Sequence, residues 1–66
     1  MNISVNGEKT SVDDNLTLAA LIDGMTLEGT RYAVEVNEEL IPRSQHAEHL
    51  LHEGDAVEIV QAIGGG

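Results

Sequence analysis

Ile3 and Val5 share one face of a short alternating run at residues 2–6, and a second run at 8–12 follows the Asn6-Gly7 pair. Two such runs around an Asn-Gly pair predict a β-hairpin, because both residues tolerate the positive φ values of a tight turn. Asp13-Asp14-Asn15 interrupts the pattern. Leu18, Leu21, Ile22 and Met25 then fall at i, i+3, i+4 and i+7, the apolar stripe of a helix. Thr17 is placed to cap its first turn, Asp13 and Asp14 lie near its positive end, and Gly24 or Gly29 can end it. A helix of about two turns does not persist alone, so it must pack on a sheet.

Alternation returns at 31–37, where Tyr32, Val34 and Val36 oppose Ala33, Glu35 and Asn37. Asn37-Glu38-Glu39 reads as a turn. Leu40-Ile41-Pro42 reads as a short edge segment, because Pro42 has no N–H for a central ladder. Residues 43–51 have weak helical character, and His52-Glu53-Gly54-Asp55 reads as a second turn. The last strand spans 56–63, with Val57, Ile59 and Ile63 on one face and Ala56, Glu58, Val60 and Ala62 on the other. If that strand runs parallel to the first, the middle of the chain is the long crossover such a pair requires. The expected architecture is α+β: a mixed sheet of four or five strands with one helix on one face. This is the β-grasp, or ubiquitin-like, arrangement, with the last strand central.

With 66 residues the chain makes one small domain, which buries only roughly 60% of its unfolded surface. It has no cysteine, and its core must come from five Ile, six Val and seven Leu beside the lone aromatic, Tyr32. That suffices for a helix on a sheet and not for a pocket that encloses a substrate, so a carrier or binding module is expected and an enzyme is not. The net charge of −9, with Lys9, Arg31 and Arg43 the strong cations, disfavours nucleic acid and anionic membranes; it suits a basic protein partner and equally well serves solubility alone. The first residues show no secretory signal and no apolar run approaches a membrane span, so the expected location is the cytoplasm.

Few side chains suggest chemistry. His46, His49 and His52 are spaced by three, but no carboxylate is placed to orient them as metal ligands, so the reading is a solvated turn and no metal site. Asp13-Asp14 and Glu38-Glu39 fall in loops, without the pocket that acid–base work needs. Ser4, Ser11 and Ser44 lack a triad context. What remains is Ile63-Gly64-Gly65-Gly66. Residues 1–63 are read as the folded domain and 64–66 as a flexible tail. Its glycines offer no bulk, so it is either frayed chain or a thin arm whose Gly66 carboxylate enters another protein's active site. An extended arm from Ile63 to Gly66 reaches roughly 13 Å. Glu58, Val60 and Ala62, beside the tail and facing away from the helix, are the candidate docking residues.

Val34-Glu35-Val36-Asn37, Leu40-Ile41-Pro42-Arg43, Gly54-Asp55, Val57-Glu58-Ile59-Val60 and the closing glycines together resemble the ThiS family of sulfur carriers in thiamin thiazole synthesis. The resemblance covers nearly the whole chain and implies a β-grasp fold. It implies that a ThiF-type enzyme, using ATP-Mg, adenylates the Gly66 carboxylate. Persulfide sulfur from a cysteine desulfurase or other sulfurtransferase route then displaces AMP, and the resulting thiocarboxylate gives its sulfur to thiazole synthase (ThiG). Gly65 and Gly64 are then the arm entering the partners, and the chain needs no cofactor of its own. Three glycines stand where two suffice, so Gly64 is not required by the pattern. The alternatives are a related carrier for molybdopterin or another thiolation pathway, and an interaction module whose tail has no chemistry.

Overall fold

In the computed structural model, residues 1–25 and 32–61 are described. Five strands and one helix follow in the order β1 (Asn2–Val5), β2 (Glu8–Ser11), α1 (Leu18–Asp23), β3 (Tyr32–Val36), β4 (Glu39–Leu40) and β5 (Ala56–Gln61), with a 3₁₀ turn at Arg43–Gln45. The strands form one sheet in the order β2-β1-β5-β3-β4. β5 pairs in parallel with β1 and antiparallel with β3, so the last strand is central, as expected.

The expected hairpin forms, with Ile3 opposite Thr10 and Ser4 opposite Lys9. Its turn has Asn6 at φ 52 and Gly7 at φ 83, the left-handed pair that a two-residue hairpin demands. The β3–β4 turn does the same with Asn37 at φ 53 and Glu38 at φ 69. A glutamate there carries a steric cost of roughly 1–2 kcal/mol that asparagine or glycine largely avoids. β4 is the expected edge strand, but it spans Glu39–Leu40, so Glu39 belongs to the strand and not to the turn, and Pro42 lies beyond it. The Ile41 N–H still donates to the Val34 carbonyl (2.9 Å), and Pro42 then opens the 3₁₀ turn.

α1 begins at the predicted cap: the Thr17 hydroxyl accepts the Ala20 N–H (3.1 Å). The two preceding helical N–H groups are met from far along the chain. Leu18 donates to the His49 carbonyl (2.8 Å) and Ala19 to the His46 carbonyl (3.0 Å). The helix stops at Asp23 with Gly24 as its C-cap, one of the two expected ends. Met25 lies past its end, yet packs against the core.

The inward faces meet in one core of Ile3, Leu18, Ile22, Val34, Val36, Ile41, Leu51, Val57 and Ile59. Alternation named the strand members correctly: Ile3, Val34, Val36, Val57 and Ile59 are buried, while Ala33, Ala56, Glu58 and Val60 are exposed.

His46 corrects the sequence reading. It is not on a solvated turn but is buried, at 6% exposure, and its Nε2 lies 3.0 Å from the Ile41 carbonyl oxygen, to which it donates. The reason is tertiary: the segment that caps α1 must lie against it, which pulls His46 inward. His46→Ala should therefore cost about 1–3 kcal/mol, because the Ile41 carbonyl loses its buried donor. A urea unfolding midpoint checks this, and an unchanged midpoint would return His46 to the surface.

Candidate functional site: the outward face of the central strand

Among the described residues, no element covers the side of the sheet opposite α1. β5 contributes Ala56, Glu58 and Val60 to it, and β3 contributes Ala33 and Glu35. The register sets Val60 opposite Ala33 and Glu58 opposite Glu35, and on the far side of β3 it sets Leu40 opposite Glu35. Val60 and Leu40 are each 60% exposed, unusually high for large aliphatics on a sheet. The face is therefore an apolar patch of Val60, Ala33 and Leu40 beside two carboxylates held directly across adjacent strands. Like charges in that position repel, a cost that a basic group of a partner would offset.

Glu58 and Val60 thus stand where strand parity placed them. Ala62, Gly64, Gly65 and Gly66 lie outside the described residues. Ala33, Glu35 and Leu40 join the face through the β3–β5 and β3–β4 registers.

Several residues that carried the family resemblance hold the end of the sheet in shape. The Asn37 side-chain amide donates to Asp55 Oδ1 (2.9 Å), while its Oδ1 accepts the Ala56 N–H (2.9 Å). Asp55 Oδ2 accepts the His52 N–H (2.9 Å), closing the turn before β5. Gly54 sits at φ 87, and its N–H donates to the Asn2 carbonyl (2.8 Å). These contacts fix where β5 starts. The Arg43 guanidinium stacks 4.4 Å from the centre of the Tyr32 ring, beside a surface hollow of about 270 Å³ between α1 and the 3₁₀ turn.

The other candidate groups do not converge. His46 is committed to Ile41, and the His52 N–H to Asp55. Among the described residues no three His, Cys, Asp or Glu side chains are arranged to hold a metal ion. Asp14 lies 3.3 Å from the Met1 amino nitrogen, and Glu38 is spent on the turn. Among the described residues no helix is long and apolar enough to cross a membrane.

The ThiS family model matches residues 2–66. The chain belongs to the ThiS family. ThiS family members are small sulfur carriers and not catalysts. The Escherichia coli sulfur carrier protein ThiS is 27% identical over the full length of both chains. The crystal structure of a thiamine biosynthesis protein (ThiS) from Geobacter metallireducens superposes with a TM-score of 0.85 at 32% identity, covering all of both chains, which places this β-grasp among ThiS folds. A thiazole synthase of Paramagnetospirillum magneticum is 36% identical over 66 residues, and the chain spans 20% of the length of that relative.

Proposed function

We propose that this protein carries sulfur as a thiocarboxylate on Gly66 and delivers it to thiazole formation in thiamin synthesis. The observation that carries the reading is the ThiS family match, which runs to the closing glycines. The ThiS-like stretch within a thiazole synthase favours the thiazole pathway over molybdopterin, since two functions on one chain belong to one reaction sequence.

The chemistry follows from the carboxylate. An α-carboxyl is ionised at neutral pH and is a poor acyl donor. One of its oxygens attacks the α-phosphorus of ATP on a ThiF-type enzyme, with Mg²⁺ neutralising the phosphates, and pyrophosphate leaves. The terminal sulfur of an enzyme persulfide then attacks the acyl carbon and AMP leaves. A thiol cleaves the resulting S–S bond, so that the thiol sulfur is oxidised to a disulfide and the thiocarboxylate remains on Gly66. Thiazole synthase is the proposed acceptor. Gly64 and Gly65 pass through the partner's channel because they present no side chains.

The uncovered face of β5 is the proposed docking surface, with Val60 at its centre and Glu58 beside it; Ala62 continues the same strand parity. Its carboxylates suit a partner with basic groups around an apolar contact. Val60→Asp should weaken binding to the adenylating enzyme about tenfold or more, while lowering fold stability by about 1 kcal/mol or less. Titration calorimetry beside a urea curve separates the two, and undiminished binding would move the docking surface elsewhere.

Intact mass after incubation with ATP, Mg²⁺, the adenylating enzyme and a sulfur source tests the function itself. Oxygen replaced by sulfur at the C-terminus is the expected change, and its absence rejects the carrier chemistry. Thiazole formation against dithiolene formation then decides the pathway.

A further inference from the structure

β1 pairs with β5 only through Ser4↔Ala56 and Val5↔Val57, whereas β3 follows β5 as far as Tyr32↔Gln61. The chain leaves the β1 side at the Asn6-Gly7 turn, and Asn6 supplies the rungs that β1 no longer provides. Its N–H donates to the Val57 carbonyl (2.8 Å). Its side-chain Oδ1 accepts the Ile59 N–H (2.7 Å), in a partly buried contact. One residue therefore bends the hairpin, at φ 52, and extends the hold of that hairpin on β5 from Val57 to Ile59.

The placement of Ile59 bears on the reaction. It lies between Glu58 and Val60, the two described docking residues, and Gly66 follows it by a fixed length of chain. A carboxylate that must meet a phosphorus atom on a docked partner needs a fixed origin for its arm. Misplacement by about 1 Å is enough to slow a positioned reaction up to a hundredfold.

We infer that Asn6 is a positioning residue for carboxylate activation: through Ile59 it fixes the outer half of β5, and so the relation between the docking face and the arm that ends at Gly66. This rests on the proposed activation of Gly66. Without Oδ1, β5 beyond Val57 keeps its ladder with β3 but loses the rung that ties Ile59 to the hairpin. The partner still binds the carrier, but fewer bound complexes present the carboxylate in line.

Asn6→Gly and Asn6→Asp separate the two tasks of this residue. Glycine accepts the positive φ and removes the acceptor; aspartate also tolerates that φ and keeps an acceptor oxygen. Pyrophosphate release by the adenylating enzyme is measured with the carrier varied. Asn6→Gly should lower kcat about three- to tenfold, the factor set by the net worth of one hydrogen bond, and leave KM for the carrier unchanged. Asn6→Asp should restore kcat. A merely destabilised carrier behaves as a lower concentration of folded carrier, which raises KM and spares kcat; Ile22→Val, in the helix, is the control for that behaviour. Wild-type kcat in Asn6→Gly, or a kcat in Asn6→Asp as low as in Asn6→Gly, overturns the role of Asn6 and leaves the carrier reading standing. A wild-type protein that releases no pyrophosphate removes the carrier reading and this inference with it. Hydrogen exchange in the wild type is a check independent of any variant's folding: the Ile59 amide should be protected like the core, and free exchange there overturns the inference.

Discussion

Deletion of Gly66 should abolish sulfur uptake and leave the fold intact. Removing one residue draws the carboxylate back by about 3.3–3.6 Å, the span of an extended residue. A reacting pair must approach within roughly 3–3.5 Å in line, and an error of about 1 Å already costs up to a hundredfold in rate. A full residue exceeds that tolerance several times over, so a loss beyond about a hundredfold is expected. One residue added after Gly66 should do the same by overshooting. Stability should not follow, because among the described residues the buried core ends at Ile59. Intact mass measures the uptake and a urea curve the fold. Normal thiocarboxylation of the deletion variant would mean that the position of the carboxylate is not read, and normal processing of Gly65→Val would end the thin-arm account.

Leu18→Ala should be the most damaging single change to the fold. Leu18 is completely buried at the start of α1, beneath the carbonyls that meet the first helical N–H groups. Truncating such a leucine costs about 2–5 kcal/mol, the transfer of its methyl groups plus the cavity they leave. A chain of 66 residues has a total stability of roughly 3–10 kcal/mol. The substitution therefore takes about a fifth of that reserve at least and can exceed all of it. The urea midpoint should fall accordingly. A loss below about 1 kcal/mol would mean that the helix is not docked as described.

Much of this architecture was legible because its causes are local. Asn6-Gly7 announces a hairpin through what two residues allow φ to be. Val34 and Val36, like Val57 and Ile59, announce buried faces through a period of two. Thr17 announces a helix start through one hydroxyl. Gly24 ends the helix, as one of its two candidate ends, so Met25 of the apolar stripe reaches the core from beyond it. What was misread or missed has non-local causes. His46 looked like surface because its neighbours are polar, and only the need of α1 for carbonyl partners carries it inside. Asn6 announced the turn and concealed its bond to Ile59, which lies at the other end of the chain. On the candidate site, parity put Glu58 and Val60 outward, while the facing of Glu58 by Glu35 depends on a strand register that no stretch of the sequence encodes.

The parallel pairing of β1 with β5 also governs when this protein can fold. Contacts between segments so far apart in sequence close late and slowly. A nascent chain that carries β1, β2, α1, β3 and β4 has the two outer portions of the sheet and no strand to join them. Its hairpin can form on the ribosome, but the core cannot, since Val57 and Ile59 are still missing from it. Folding thus waits for the residues that lead directly into the glycines. Chains that stop short of β5 lack the middle of the sheet, and expose apolar edges that aggregation and proteolysis act on. A stable domain and the strand that leads to its arm are therefore acquired together, and premature termination before that strand leaves no folded decoy to compete for the partners.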